Sequence, residues 1–236
     1  MFVRDMMIRD VQTVTEEDTL EQAVILFQRG RFRHLPVVKL IPQPETPAPK
    51  RLRYPPPKPP VAVVGILSDR DLPGNRIGEM PSEELGARQV REVMRRPVIT
   101  VSPDTPIEYA ATLMADNAIG CLPVVADEAQ GRLVGIIAES DLFHALVRLV
   151  GTQEPSTRLR LVLHAGDPAE LAKALTIIAR HGGRLAGLLA EPVDARGHWP
   201  VTLRVRTIYP EPILRDLEEA GIQVEQPRAE EEREHE

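Results

Sequence analysis

The 236 residues carry 29 basic and 35 acidic side chains, a formal charge of −6, and 42% of them are hydrophobic but only 3% aromatic. This composition predicts cores of Val, Leu, Ile and Ala spread over two or three small domains, without the basic footprint or aromatic platforms that nucleic-acid binding uses. The single cysteine excludes an internal disulfide, no apolar run is long enough for a bilayer, and MFVRDMMIRD has charges where a signal peptide is apolar, so a soluble, cytoplasmic protein is expected.

Residues 3–38 align without a gap onto residues 90–125, and 14 of the 36 pairs are identical, among them Val3/Val90, Arg4/Arg91, Met7/Met94, Thr13/Thr100 and the whole of Leu35–Val38 against Leu122–Val125. In the first copy a TVT strand leads to a helix for which Asp18 is the expected N-cap, with Glu21 three residues on. Leu20, Ala23, Val24 and Phe27 follow at helical spacing, and Gly30 stands where a helix ends in the left-handed conformation. LPVV at 35–38 is a short strand. The next stretch, 39–60, is an insertion with nine prolines between 41 and 60, predicted to be an exposed, polyproline-like arm. GILSDRDL at 65–72 then closes the copy.

The second copy repeats this order. Thr105 takes the N-cap position with Glu108 three residues on, Pro106 the first helical position, Ile107, Ala110, Ala111 and Met114 the apolar face, and Asn117 the position of Gly30. GIIAESDL at 135–142 answers GILSDRDL. The two units are read as 1–76 and 77–151. Beyond them the pattern changes: RLRLVLH reads as a strand, Asp167-Pro168 with Glu170 opens a helix, and two strands, a short helix and a last strand follow up to residue 227. Residues 228–236, with five acids from Glu230 on, read as an acidic disordered tail.

Doubled in this order, the VRDMM/VREVM openings, capped helices, LPVV strands and closing turns resemble a tandem pair of CBS domains. The strand–helix–strand–strand–helix–strand order of 157–227 is the ferredoxin-like plan and resembles an ACT domain. The combination is similar to acetoin-utilisation regulatory proteins of the AcuB type. The fold class expected is α+β: small sheets packed with helices in the pair, and a βαββαβ unit after it.

The resemblance implies a non-catalytic, regulatory protein, a homodimer with an unidentified regulated partner, and a CBS pair that binds an adenosine-containing ligand such as AMP, ADP, ATP or S-adenosylmethionine. It implies that the closing aspartate of each copy, Asp71 or Asp141, receives the ribose hydroxyls, with Ser68 but not Ala138 adding a hydroxyl. It places Ile99, Gly120 and Cys121 opposite Asp71, and Gln12, Arg33 and His34 opposite Asp141. The Asp71 cleft is therefore expected to be the better site, although Arg33 and His34 give the other one more phosphate chemistry. No motif for catalysis or metal binding appears, and the six histidines are scattered. The alternative is a dimerisation scaffold in which both aspartates only cap helices.

Overall fold

The computed structural model describes residues 1–30, 32–42, 59–72, 82–151, 155–164 and 167–225. Most of the proline-rich insertion, the acidic tail, and Ala165 and Gly166 lie outside them. Contacts divide the chain into two compact units, Met1–Leu142 and Phe143–Glu236.

In the first unit, helix α1 (Leu20–Arg29) buries Leu20, Ala23, Val24 and Phe27. They pack against the antiparallel hairpin of β1 (His34–Leu40) and β2 (Val61–Ser68). A short helix α2 (Ser82–Ala87) adds Leu85 to this core. The second copy supplies α3 (Ile107–Asn117), β3 (Cys121–Val125), β4 (Leu133–Ala138) and the start of α4 (Glu139–Val150), most of which is counted with the second unit. The hairpins match in detail: each shifts register opposite its LPVV strand, between Val37 and Val38 and between Val124 and Val125, where Val64 of β2 and Val134 of β4 are the extra residues.

Three local expectations shift. The N-cap of α1 is Thr19, which exchanges hydrogen bonds with Gln22, and Asp18 instead accepts from the Thr15 amide at 2.6 Å. Thr105, at the equivalent position, accepts from the Ser102 amide at 3.1 Å, and Pro106 is the cap. Asp18 and Thr105 therefore do share one role, closing the turn before the helix. Secondly, the left-handed residue is Ala118 (φ 51°), while Gly30 is extended. Gly30 is needed for another reason, because a Cβ there would lie 1.9 Å from the Phe32 ring. Thirdly, each TV(T/S) segment forms a single parallel bridge, Val14 to Val37 and Val101 to Val124.

The two copies are joined by exchange. The Val3 amide donates to the Thr105 carbonyl and the Val90 amide to the Asp18 carbonyl, both at 2.9 Å. Arg4 and Arg91 repeat the pattern with Pro103 and Glu16. Thus the opening turn of each copy, Val3–Asp5 or Val90–Glu92, sits on the helix start of the other. Ile8 bridges Ile136 and Arg95 bridges Ile66, and Val90 is part of the first copy's buried core. Met7 lies over Gly135 and Met94 over Gly65, so close that an added Cβ would meet the sulfur at 2.7 and 2.5 Å.

The second unit is a four-stranded antiparallel sheet in the order β6-β7-β5-β8, made of β5 (Thr157–His164), β6 (Arg184–Ala190), β7 (His198–Arg206) and β8 (Gln223–Glu225). Helices α5 (Pro168–Arg180) and α6 (Glu211–Glu219) lie against it, with Leu161, Leu163, Leu203, Ile178, Ile213 and Leu217 in the core. Asp167 caps α5 through the Ala169 amide at 2.8 Å. Glu170 does not complete a capping box; its carboxylate accepts from the His164 amide at 2.7 Å.

The Met–Gly interlock is open to test. Gly65→Ala should cost about 1–3 kcal/mol through overpacking, read as a lower urea midpoint. Because the obstacle is the Met94 side chain, Gly65→Ala with Met94→Ala should lose less than the sum of the single changes. Additive losses would contradict the contact.

Candidate functional site

β2 runs into a 3-10 turn, Asp69–Asp71, whose geometry is fixed by its own side chains. The Ser68 amide donates to Asp71 Oδ2 at 2.9 Å, and Ser68 Oγ accepts from the Arg70 amide at 3.3 Å. In the second copy the Ala138 amide donates to Asp141 Oδ2 at 2.8 Å. Both aspartates therefore tie down the turn after a hairpin, as a cap would.

Only Asp71 of the two borders the cavity found at this end of the first unit, a space of about 270 Å³. Ser68 and Asp71 meet Ile99, Gly120 and Cys121 there. Arg33 and His34 line this same cavity, a correction to their assignment opposite Asp141. His34 pairs with Ser68 and Cys121 with Ala138 in the same register, and the starts of β1 and β3 both line this one cavity, so Arg33 and His34 stand beside their own copy's aspartate turn. Gln12 is exposed, and neither it nor Asp141 lines the cavity.

The electrostatics are those of paired charges. Arg33 Nε donates to Asp69 Oδ2 at 2.9 Å, and Ser68 Oγ donates to Asp69 Oδ1 at 3.1 Å. Partial burial opposes ionisation of Asp69, but these hydrogen bonds and the Arg33 charge hold its carboxyl below the usual range. Burial pushes the His34 imidazole below its ordinary 6.5; Asp69 pulls the other way and Arg33 reinforces the shift. His34 is thus neutral at neutral pH in the unliganded chain. Cys121 is 5% exposed, and burial, reinforced by Glu139, pushes its thiol up to about 12, which leaves it an inert wall.

Arg95 escaped the sequence reading. Its guanidinium is 2.7 Å from Asp71 Oδ1, and Asp71's side chain is 7% exposed against 70% for Arg95. The sequence did carry a signal: at the equivalent position of the first copy stands Ile8, so this pair breaks the pattern of the repeat. Asp69 and Glu139, equivalent turn residues that also line the cavity, were missed as well. A second cavity of about 600 Å³, lined by Arg9, Asp10, Pro60, Arg132 and Leu133 among others, contains none of the anticipated residues. Among the described residues no group of three or more His, Cys, Asp or Glu is placed to hold a metal ion, and no helix is long and apolar enough to cross a membrane.

The lowered His34 pKa fixes a pH dependence. Between its folded-state pKa and 6.5 the unfolded chain binds the proton more readily, so stability present above 6.5 is lost as pH falls through that window. His34→Gln should flatten the fall in urea midpoint between pH 7.5 and the acid side of the window; an unchanged slope would show that His34 is not buried in this way.

The family model for the CBS domain matches residues 3–40 and 90–148. Similar proteins include the inosine-5'-monophosphate dehydrogenase of Korarchaeum cryptofilum, 29% identical over 170 residues that make up 72% of this chain and 29% of that protein. Another is the uncharacterized protein MK0525 of Methanopyrus kandleri, 37% identical over 93 residues, 39% of this chain and 44% of that one. The chain therefore spans less than half the length of these relatives. Among solved structures, a Vibrio cholerae protein assigned to acetoin utilization (AcuB) is 30% identical, with 66% of this chain and 98% of that chain covered and a TM-score of 0.47. The family match falls on both copies of the repeat, and this chain carries a tandem CBS domain pair.

Proposed function

We propose that the CBS pair is a non-catalytic sensor that binds an adenosine-containing ligand, an adenine nucleotide or S-adenosylmethionine, in the cavity beside Asp71. One observation carries the reading: a buried carboxylate on the closing turn of one repeat faces an apolar and backbone-rich wall, Ile99, Gly120 and Cys121, from the other. A carboxylate accepts from both hydroxyls of a ribose. Gly120 lets the His34 ring pack closely on the wall, since a Cβ there would stand 3.0 Å from it. The wall and the turn come from different repeats, so a ligand between them would favour one relative placement of the two and shift the population toward it.

The second unit fits an ACT-like domain that assembles two copies of the chain or passes the ligand signal to a regulated partner. Its strand order, with β5 and β7 central and β6 and β8 at the edges, supports this assignment. A purely structural role has an observation of its own in favour: Asp71 and Asp141 make the same amide contact in their two turns.

Asp71→Asn separates the two readings, because the amide oxygen keeps the contact with the Ser68 amide but loses the charge. Calorimetry with AMP, ADP, ATP and S-adenosylmethionine should show binding to the native chain that falls about tenfold to a hundredfold in Asp71→Asn, the worth of one charged hydrogen bond. Ligand at 100 times its Kd should stabilise the native chain by about 2.7 kcal/mol. Absence of heat and of thermal stabilisation with every ligand would leave the structural role.

A further inference from the structure

The pairing of Asp71 with Arg95 bears on which adenosine ligand the cavity takes. Resting on the ligand reading above, we propose that Arg95 makes the site selective for adenosine ligands that carry phosphate. Both carboxylate oxygens of Asp71 are engaged: Oδ2 receives the Ser68 amide, and Oδ1 is met at 2.7 Å by both Nε and Nη2 of Arg95. A ribose diol that binds Oδ1 displaces the guanidinium from it, while Oδ2 keeps one further acceptor site. The displacement is mechanically simple. The Arg95 backbone is pinned to Ile66 by hydrogen bonds of 2.9 and 3.2 Å, while its side chain is largely exposed, so the side chain can swing while the strand contact stays.

The released guanidinium, largely exposed, is then free to pair with another anion. Asp69 is engaged by Arg33 and Ser68, and Arg70, on the same turn and also lining the cavity, has no side-chain partner among the described residues. Glu139, from the other repeat, also lines the cavity, with its carboxylate close to Gly120 and His34. With Asp71 turned to the ribose, Arg95 and Arg70 are the guanidinium groups lining the cavity that have no carboxylate bound to them among the described residues. A phosphate on the ligand supplies that anion, and Arg95 passes from the carboxylate to the phosphate. Adenosine brings no compensating charge, and the sulfonium of S-adenosylmethionine adds a further positive one. The first copy has Ile8 at the matching position, so this exchange belongs to one aspartate only.

Calorimetry of the full chain with adenosine, AMP, ADP and S-adenosylmethionine, in the native protein, Arg95→Ile and Arg95→Gln, tests the exchange. In the native protein AMP and ADP should bind at least about tenfold more tightly than adenosine or S-adenosylmethionine. In both variants adenosine should tighten and AMP weaken, each by about threefold to tenfold, so that the preference shrinks toward unity. Unliganded melting curves monitor folding, and either variant alone suffices. Equal weakening of adenosine and AMP would overturn the proposal, as would native binding of S-adenosylmethionine at or above the level of AMP. No binding of any ligand to any of the three proteins would remove the ligand reading and this inference with it. Ligand binding with no phosphate preference in the native protein, or with a preference that persists unchanged in both variants, would remove only the role of Arg95 and leave the ligand reading standing.

Discussion

The first unit depends on an exchange of chain ends between its two repeats. Each opening turn gives its amides to carbonyls at the start of the other repeat's helix, and each opening methionine fills the space over the other repeat's hairpin glycine. A hairpin and one helix bury too little apolar surface to be stable alone. Val90 completing the core of Leu20, Phe27, Leu35 and Leu67 shows what the exchange supplies. The bulges conserved between the two hairpins and the paired turns at Asp18 and Thr105 keep both halves in the shape this docking needs.

The same exchange creates the site. It brings the segment 95–99 of the second repeat alongside the end of β2, so that Arg95 and Ile99 face Asp71 across a gap whose floor is the start of β3. Near-symmetry in the backbone combined with dissimilar side chains gives inequivalent surroundings: Arg95 against Ile8, Ser68 against Ala138, His34 against Cys121. Burial then sets the chemistry of what remains. It neutralises His34 and silences Cys121, which leaves arginine–carboxylate pairs as the charged contacts around the cavity.

The repeat, its helices and both hairpins were legible because identical apolar positions recur at helical and strand spacing, and the βαββαβ order of the second unit was legible from its alternation and its Asp167-Pro168 start. The helix ends were less so. Thr19 and Asp18 are adjacent candidates for one cap, and Ala118 adopts a conformation that favours glycine or asparagine. At the site, Asp71 with Ile99, Gly120 and Cys121 was reached from the resemblance. The resemblance sets Arg33 and His34 at the other aspartate by treating the two clefts as separate, whereas the starts of both first strands, His34 beside Ser68 and Cys121 beside Ala138, line the same cavity. Arg95 is hard to see by motif reading since its partner is 24 residues away, and its one mark is the mismatch with Ile8 in the repeat.

The measurement that bears most directly on the account is photo-labelling of the full chain with 8-azido-AMP, followed by peptide mapping and competition with AMP. A base lodged between the repeats should label peptides around Ile99 and Gly120–Cys121, with the label removed by AMP and much reduced in Asp71→Asn. Label confined to the second unit, or label at these peptides that neither AMP nor the Asp71 change diminishes, would contradict it.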